Sequence, residues 1–186
     1  MKRFLSIGLL SLSFILNACK SSIIEQQSNM DSSSYKALNQ LKGTWVLKRR
    51  FLSDAYDTPC GYATKEQSRE ITLTITDEIA PNTSSDTLAY KINGVSTVNY
   101  YMGTIKIKSF AESGVGTITL GAFASTKIAG TPEMNNCEMS YFDFLSHSSD
   151  LRLVSTTTQE LHLGNFYHGT TPSRDGGTFL IFERSK

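Results

Sequence analysis

Short segments in which hydrophobic and polar residues alternate dominate the chain after about residue 40. In residues 71–76 an apolar side chain recurs at every second position, and residues 104–108 repeat the pattern. A period of two residues is typical of a β-strand with one buried face. Further strands are predicted at residues 44–51, 88–92, 95–102, 115–120, 151–154, 160–163 and 178–182. The dipeptide Asn93-Gly94 separates two of these segments and predicts a tight hairpin turn.

One segment has the spacing of a helix. Met139, Phe142 and Leu145 recur every three residues, which predicts a helix over residues 136–146. Helices do not alternate with strands along the chain, so a doubly wound parallel sheet is not expected. We therefore predict an α+β fold that is mainly antiparallel β, either a small twisted sheet or a partly open β-barrel with one covering helix.

The first nineteen residues follow a different pattern. Lys2 and Arg3 precede a mostly apolar run at residues 4–16, which has the order of a signal peptide and is too short to span ~30 Å of hydrocarbon. The run ends in Leu16-Asn17-Ala18-Cys19, which resembles a bacterial lipobox. This resemblance implies cleavage before Cys19, a diacylglycerol on its sulfur and a fatty acid such as palmitate on the new amino terminus. The alternative is an ordinary secretory signal in which Cys19 is incidental.

These features predict three parts: a lipoprotein signal peptide at 1–18, the lipidated Cys19 with a polar tether at 19–40, and one domain at 41–186. The tether is rich in Ser and Gln, and apolar residues at its end have the spacing of a short helix. Two or more acyl chains anchor a protein stably to a membrane. Lys20 directly after the anchor, by resemblance to known sorting rules, favours the outer membrane as the location in the cell envelope.

Composition and charge limit the classes of partner and of catalytic or metal site that we expect. The 186 residues have a formal net charge of +1 and 19% charged residues, so no nucleic-acid partner is expected. Basic residues cluster only at 48–50 and 106–108, as on solvated strand faces. His147, His162 and His168 lack the spacing of metal ligands, and no Gly-x-Ser-x-Gly motif occurs. We predict no catalytic residue, no metal site and no cofactor.

Several segments, in order, resemble the META/HslJ-like (DUF306) domain. They are the Leu-x-Gly-x-Trp opening at 41–47, the Asn-x-Tyr-x-Gly-like segment at 99–104, the Ser-Thr-containing stretch at 123–129, Glu138 with the aromatic helix after it, and the two final strands at 160–163 and 178–184. The resemblance spans residues 41–184. It implies a small β-barrel-like domain of the envelope or outside the cell, with no established catalysis and a link to stress tolerance. It does not imply a shared ligand.

The cysteines depart from the family pattern. The family often has one Cys just before the Asn and another after Met-Ala, where this chain has Val98 and Gly130. Cys60 and Cys137 remain as an even pair once Cys19 carries lipid, and cysteines outside the cytoplasm usually oxidise. We predict a Cys60–Cys137 disulfide, whose loop closure contributes ~4 kcal/mol before native-state strain. Two separately buried free thiols are the alternative.

Two functions of different classes follow. The first is a noncatalytic binding or assembly factor, held at the membrane by its lipid and contacting a protein partner in the envelope. The second is a carrier, in which a groove of the barrel binds an apolar or lipid ligand. The ligand-binding residues are unknown in either case. An envelope hydrolase is a third hypothesis. It is retained only because the absence of a known catalytic motif is weak evidence against an enzyme.

Overall fold

The computed structural model describes residues 32–58, 70–81, 89–155, 158–169 and 176–186. This part of the chain contains two helices, α1 (Ser32–Leu41) and α2 (Pro132–Ser146). The strands are β1 (Gly43–Leu52), β2 (Ala55–Asp57), β3 (Thr72–Ile79), β4 (Ala89–Val95), β5 (Tyr100–Phe110), β6 (Val115–Leu120), β7 (Ala124–Ser125), β8 (Asp150–Ser155), β9 (Gln159–Phe166) and β10 (Gly177–Arg184). No helix in these ranges is long and apolar enough to cross a membrane.

The strands form a closed antiparallel barrel. Their order is β10-β9-β8-β6-β5-β4-β3-β1, and β1 also pairs with β10 from Trp45–Arg184 to Leu52–Thr178. A bulge between Leu47 and Arg49 interrupts this last ladder, and bulges bend a strand and increase its twist. The predicted mainly antiparallel architecture is confirmed. The barrel is closed rather than partly open, because the bent β1 reaches the far edge strand.

Large apolar side chains fill the barrel interior. Each of the following is less than 2% exposed: Trp45, Leu73, Ile75, Ile92, Ile105, Ile118, Leu151, Leu161, Leu163 and Phe182. An eight-stranded barrel is just wide enough for side chains to fill. The interior is therefore a packed hydrophobic core.

Helix α1 belongs to this core, although the sequence placed residues 19–40 in the tether. Ala37, Leu38 and Leu41 are buried. The indole nitrogen of Trp45 donates to the carbonyl of Leu41 at 2.8 Å. Arg184 lies 4.3 Å from the centre of the indole ring and donates to the carbonyl of Lys42 at 2.8 Å. These donors satisfy carbonyls that the end of a helix leaves without intrahelical partners.

The predicted Asn93-Gly94 hairpin is wrong. Strand β4 continues through both residues to Val95, and the turn to β5 lies at 96–99. A Cβ atom at Gly94 would lie 2.0 Å from the carbonyl oxygen of Thr72 and 2.7 Å from the hydroxyl of Tyr101. The glycine permits this close approach inside the barrel and does not form a turn.

Helix α2 begins one turn earlier than predicted. Thr131 is its N-cap, and its hydroxyl accepts from the backbone N–H of Met134 at 3.3 Å. Pro132 follows at the first helical position, where a missing N–H costs nothing. The predicted late strands are confirmed as β8, β9 and β10, which are longer than expected by two, four and three residues.

Trp45→Ala should destabilise the domain by ~3–5 kcal/mol, because it removes a fully buried ring and the contacts with α1. Urea unfolding followed by circular dichroism measures the change. Met102→Ala, at a side chain that is 65% exposed, is the control and should leave the curve close to wild type. Equal unfolding curves for Trp45→Ala and wild type would contradict the assignment of Trp45 to the core.

Candidate functional site

The carboxylate of Glu138 on α2 faces the turn between β4 and β5. Its Oε1 accepts from the side-chain amide of Asn99 at 2.8 Å. Its Oε2 accepts from the backbone N–H groups of Asn99 at 3.0 Å and Val98 at 3.3 Å, and from the hydroxyl of Ser96. We call Glu138 with Ser96, Val98 and Asn99 the Glu138 clasp.

The turn in the clasp is built from buried polar residues. Ser96, Thr97 and Asn99 are at most 4% exposed. The backbone N–H of Ser96 donates to the carbonyl of Asn99 at 2.8 Å, and the Ser96 hydroxyl accepts from the N–H of Asn99 at 3.0 Å. Buried donors without acceptors are costly. The carboxylate of Glu138 therefore supplies acceptors that the turn requires.

Asn99 also fixes the segment that follows β7. Its Oδ1 accepts from the Thr126 hydroxyl and from the Ile128 backbone N–H, both at 2.7 Å. Its Nδ2 donates to the carbonyl of Ile128 at 3.2 Å, besides the bond to Glu138. Three segments that resembled the family separately in the sequence thus meet at one side chain.

The two positions that often hold cysteines in the family lie together in the structure. A Cβ atom at Gly130 would be 2.6 Å from a methyl group of Val98. This proximity agrees with the expectation that the two family cysteines serve one another. Cys137 is buried on α2, whereas Cys60 and Cys19 lie outside the described residues. The Cys60–Cys137 pairing and the lipidation of Cys19 stay predictions.

Hydrogen bonding controls the charge of the clasp. Burial alone would raise the pKa of Glu138, but the bonds from Ser96, Asn99 and the backbone of Val98 outweigh it and lower the pKa. The side chain is therefore an ionised acceptor at neutral pH. Its oxygens already serve several donors, so Glu138 is poorly suited to act as a general base or a metal ligand.

Further contacts bind α2 to the barrel. The hydroxyls of Tyr101 and Tyr141 are 2.7 Å apart, and Tyr101 donates to the carbonyl of Thr72 at 2.8 Å. Burial raises the pKa of both tyrosines, so both phenols stay protonated. Arg50 of β1 donates to the hydroxyl of Ser140 at 3.3 Å. None of these partners is visible in the spacing of the sequence.

The three histidines lie apart, each with its own partner. His147 contacts Asp143 at the end of α2, His162 bonds Glu160, and His168 bonds Asp150. Within the described ranges, no cluster of His, Cys, Asp or Glu side chains has the arrangement of a metal site.

Fold and clasp together define a class of protein: a small closed antiparallel barrel whose covering helix is fixed by a carboxylate on a buried turn. The META domain family model matches residues 38–185, and the chain therefore belongs to the META domain family. An NMR structure of a protein from Burkholderia xenovorans is similar, with a TM-score of 0.54 and 22% sequence identity over 84% of this chain and 92% of that chain. At this identity the similarity concerns the fold alone. A search of curated proteins gave no match.

Glu138→Gln should destabilise the domain by about 1–2 kcal/mol, because an amide has one acceptor oxygen for the donors of the turn and the site is only partly shielded from water. Urea unfolding at neutral pH measures the loss. Asp143→Asn makes the same change of charge on an exposed part of α2 and is the matched control. A loss no larger than that of the control would argue against the clasp.

The same variant tests the pKa. A carboxylate whose pKa is lowered by folding contributes stability above its unfolded pKa, and this contribution is lost as the pH falls through the folded pKa. Wild-type stability should therefore fall below about pH 4.5 more steeply than that of Glu138→Gln. Parallel pH profiles would show that the clasp does not favour the ionised form.

Proposed function

We propose that the chain is a bacterial envelope lipoprotein, anchored through Cys19 to the outer membrane, whose META domain is a noncatalytic binding or assembly factor. The packed barrel interior is the observation that carries the proposal. Because side chains occupy the centre of the barrel, recognition falls to the outer surface and the loops.

The state of the polar groups supports a noncatalytic role. The carboxylate of Glu138 is engaged by donors from three residues, and the phenols of Tyr101 and Tyr141 bond each other. A general base or nucleophile needs a free lone pair close to its substrate. The residues that the family pattern brings together hold the fold and leave no such group.

The outer surface offers large apolar side chains to a partner. Tyr100 and Met102 point outward from neighbouring positions on β5 and are 56% and 65% exposed. Ile128, in the segment fixed by Asn99, is 55% exposed. Exposed aromatic and Met side chains are more typical of binding surfaces than of surfaces that face only water.

Native mass spectrometry distinguishes the binding factor from the carrier. The nonlipidated mature chain, exported to a periplasm, should have the mass of the bare protein under native conditions. An additional mass that disappears on denaturation would identify a bound ligand and favour the carrier. The Tyr100→Ser, Met102→Ser double variant is the control, because it changes the outer surface and leaves the interior intact.

Cys19→Ala should release the protein from membranes, because it removes the sulfur that carries the lipid. The variant is expressed with a general secretory signal in place of residues 1–18, so that processing does not require Cys19. The replacement also removes Leu16-Asn17-Ala18, so the lipobox and the sulfur are tested together. Fractionation and immunoblotting measure the distribution, and Cys60→Ala behind the native signal is the control. Retention of Cys19→Ala in the outer membrane would contradict the lipid anchor.

A further inference from the structure

A second apolar cluster lies on the outer face of the barrel. Phe166, Phe179 and Ile181 are buried there, and Phe51 packs against them. The rings of Phe51 and Phe179 are stacked with their centres 4.8 Å apart. We call these four residues the outer aromatic cluster. Burial on both faces is unusual for the strands of a small barrel, whose outer face usually contacts water.

His162 extends this stack. Its imidazole lies parallel to the Phe179 ring, with centres 5.3 Å apart and an angle of 13° between the planes. The side chain is 13% exposed. Its Nε2 lies 2.9 Å from a carboxylate oxygen of Glu160, whereas its Nδ1 is buried and has no hydrogen-bond partner. The neutral tautomer with the proton on Nε2 satisfies both observations, since Nδ1 then carries only a lone pair.

Two cations flank the imidazole in the same cross-strand row. Arg49 of β1 pairs with Ile181 of β10, which pairs with His162, and His162 pairs with Arg152 of β8. Arg49 binds Glu160 at 2.9 Å. The guanidinium of Arg152 lies 4.6 Å from the centre of the Phe166 ring.

The charges around His162 act in opposite directions. Burial lowers its pKa most, Glu160 raises it, and Arg152 and Arg49 lower it further. The side chains of β10 beside the imidazole are those of Phe179 and Ile181, which do not titrate. Farther along β8 and β9, the carboxylate of Asp150 bonds His168 and the backbone N–H of Phe166. Among the residues that the structure describes, the one carboxylate in contact with the imidazole is thus shared with Arg49.

We propose that His162 is an acid-sensitive switch that opens the outer aromatic cluster. A proton taken from water by Nδ1 creates a buried N–H without an acceptor and an imidazolium between two guanidinium groups. Both effects favour a conformation in which the side chain leaves Phe179 and reaches water. Because Phe179 contacts Phe51 and Phe166 as well, the movement loosens the whole cluster.

Folding favours the neutral imidazole of His162, and this sets the direction in which stability changes with pH. The unfolded chain takes up the proton near 6.5, the ordinary pKa of histidine, and the folded chain takes it up at a lower pH. Stability from this site is therefore complete above about pH 6.5 and is lost as the pH falls through the unfolded and then the folded pKa.

The experiment compares urea unfolding of the wild type, His162→Phe and His147→Gln between about pH 7.5 and about pH 5. His162→Phe keeps a flat ring on Phe179 and cannot be protonated, and His147→Gln removes an exposed histidine. The unfolding constant of the wild type should rise at least about fivefold more than that of His162→Phe. His147→Gln should follow the wild type. Equal pH dependence in the wild type and His162→Phe would overturn the proposal.

Nuclear magnetic resonance of the wild-type protein provides a test that requires no variant. The ring signals of His162 should titrate below pH 6.5, and the methyl signals of Ile181 should move at the same midpoint as the cluster opens. A midpoint at or above 6.5, or methyl signals that do not respond, would overturn the proposal even if His162→Phe failed to fold.

Discussion

Several donors of the β4–β5 turn share one acceptor, the carboxylate of Glu138. Ser96, Thr97 and Asn99 are all buried, and a turn with so many buried donors is stable only when they are bonded. Because Glu138 lies on α2, the acceptor comes from an element far away in sequence. These donors of the turn are therefore bonded to the carboxylate only when the covering helix is in place. Asn99 also accepts hydrogen bonds from Thr126 and Ile128, so the side chain that bonds Glu138 fixes the segment after β7 as well.

The two faces of the final strands carry different structures. On β9, Leu161 and Leu163 point into the core, while Glu160 and His162 point outward. Gly164 is the next outward position after His162, and a Cβ atom there would be 2.5 Å from the Cβ of Phe179. The absent side chain lets the Phe179 ring lie across the strand, as aromatic residues do beside glycines in sheets. Strands of this kind stabilise the inner core and the outer cluster together.

Local patterns in the sequence predicted the strands because burial on one face imposes a period of two residues. The same reasoning failed at Asn93-Gly94, because a glycine can lie in a turn or in a strand that a neighbouring group approaches closely. The position of Tyr101 in the fold, which the local sequence does not show, distinguishes the two cases. For α2, the aromatic spacing predicted the interior of the helix, whereas its start at Thr131-Pro132 lies outside the aromatic pattern. Asn99, the segment 123–129 and Glu138 each resembled the family, yet the contacts among them span up to 39 residues and have no local signature.

The polar side chains that meet at α2 orient this covering helix on the barrel. Only Cys137, Tyr141 and Leu145 of α2 are buried, and apolar contact alone tolerates sliding and rotation, because dispersion and hydrophobic burial have little directionality. Hydrogen bonds to a carboxylate are directional and stronger than those between neutral groups. The hydrogen bonds of Glu138 to the turn and of Tyr141 to Tyr101 therefore fix the position and rotation of α2 on the barrel. The apolar contacts hold the helix on the barrel without fixing its orientation.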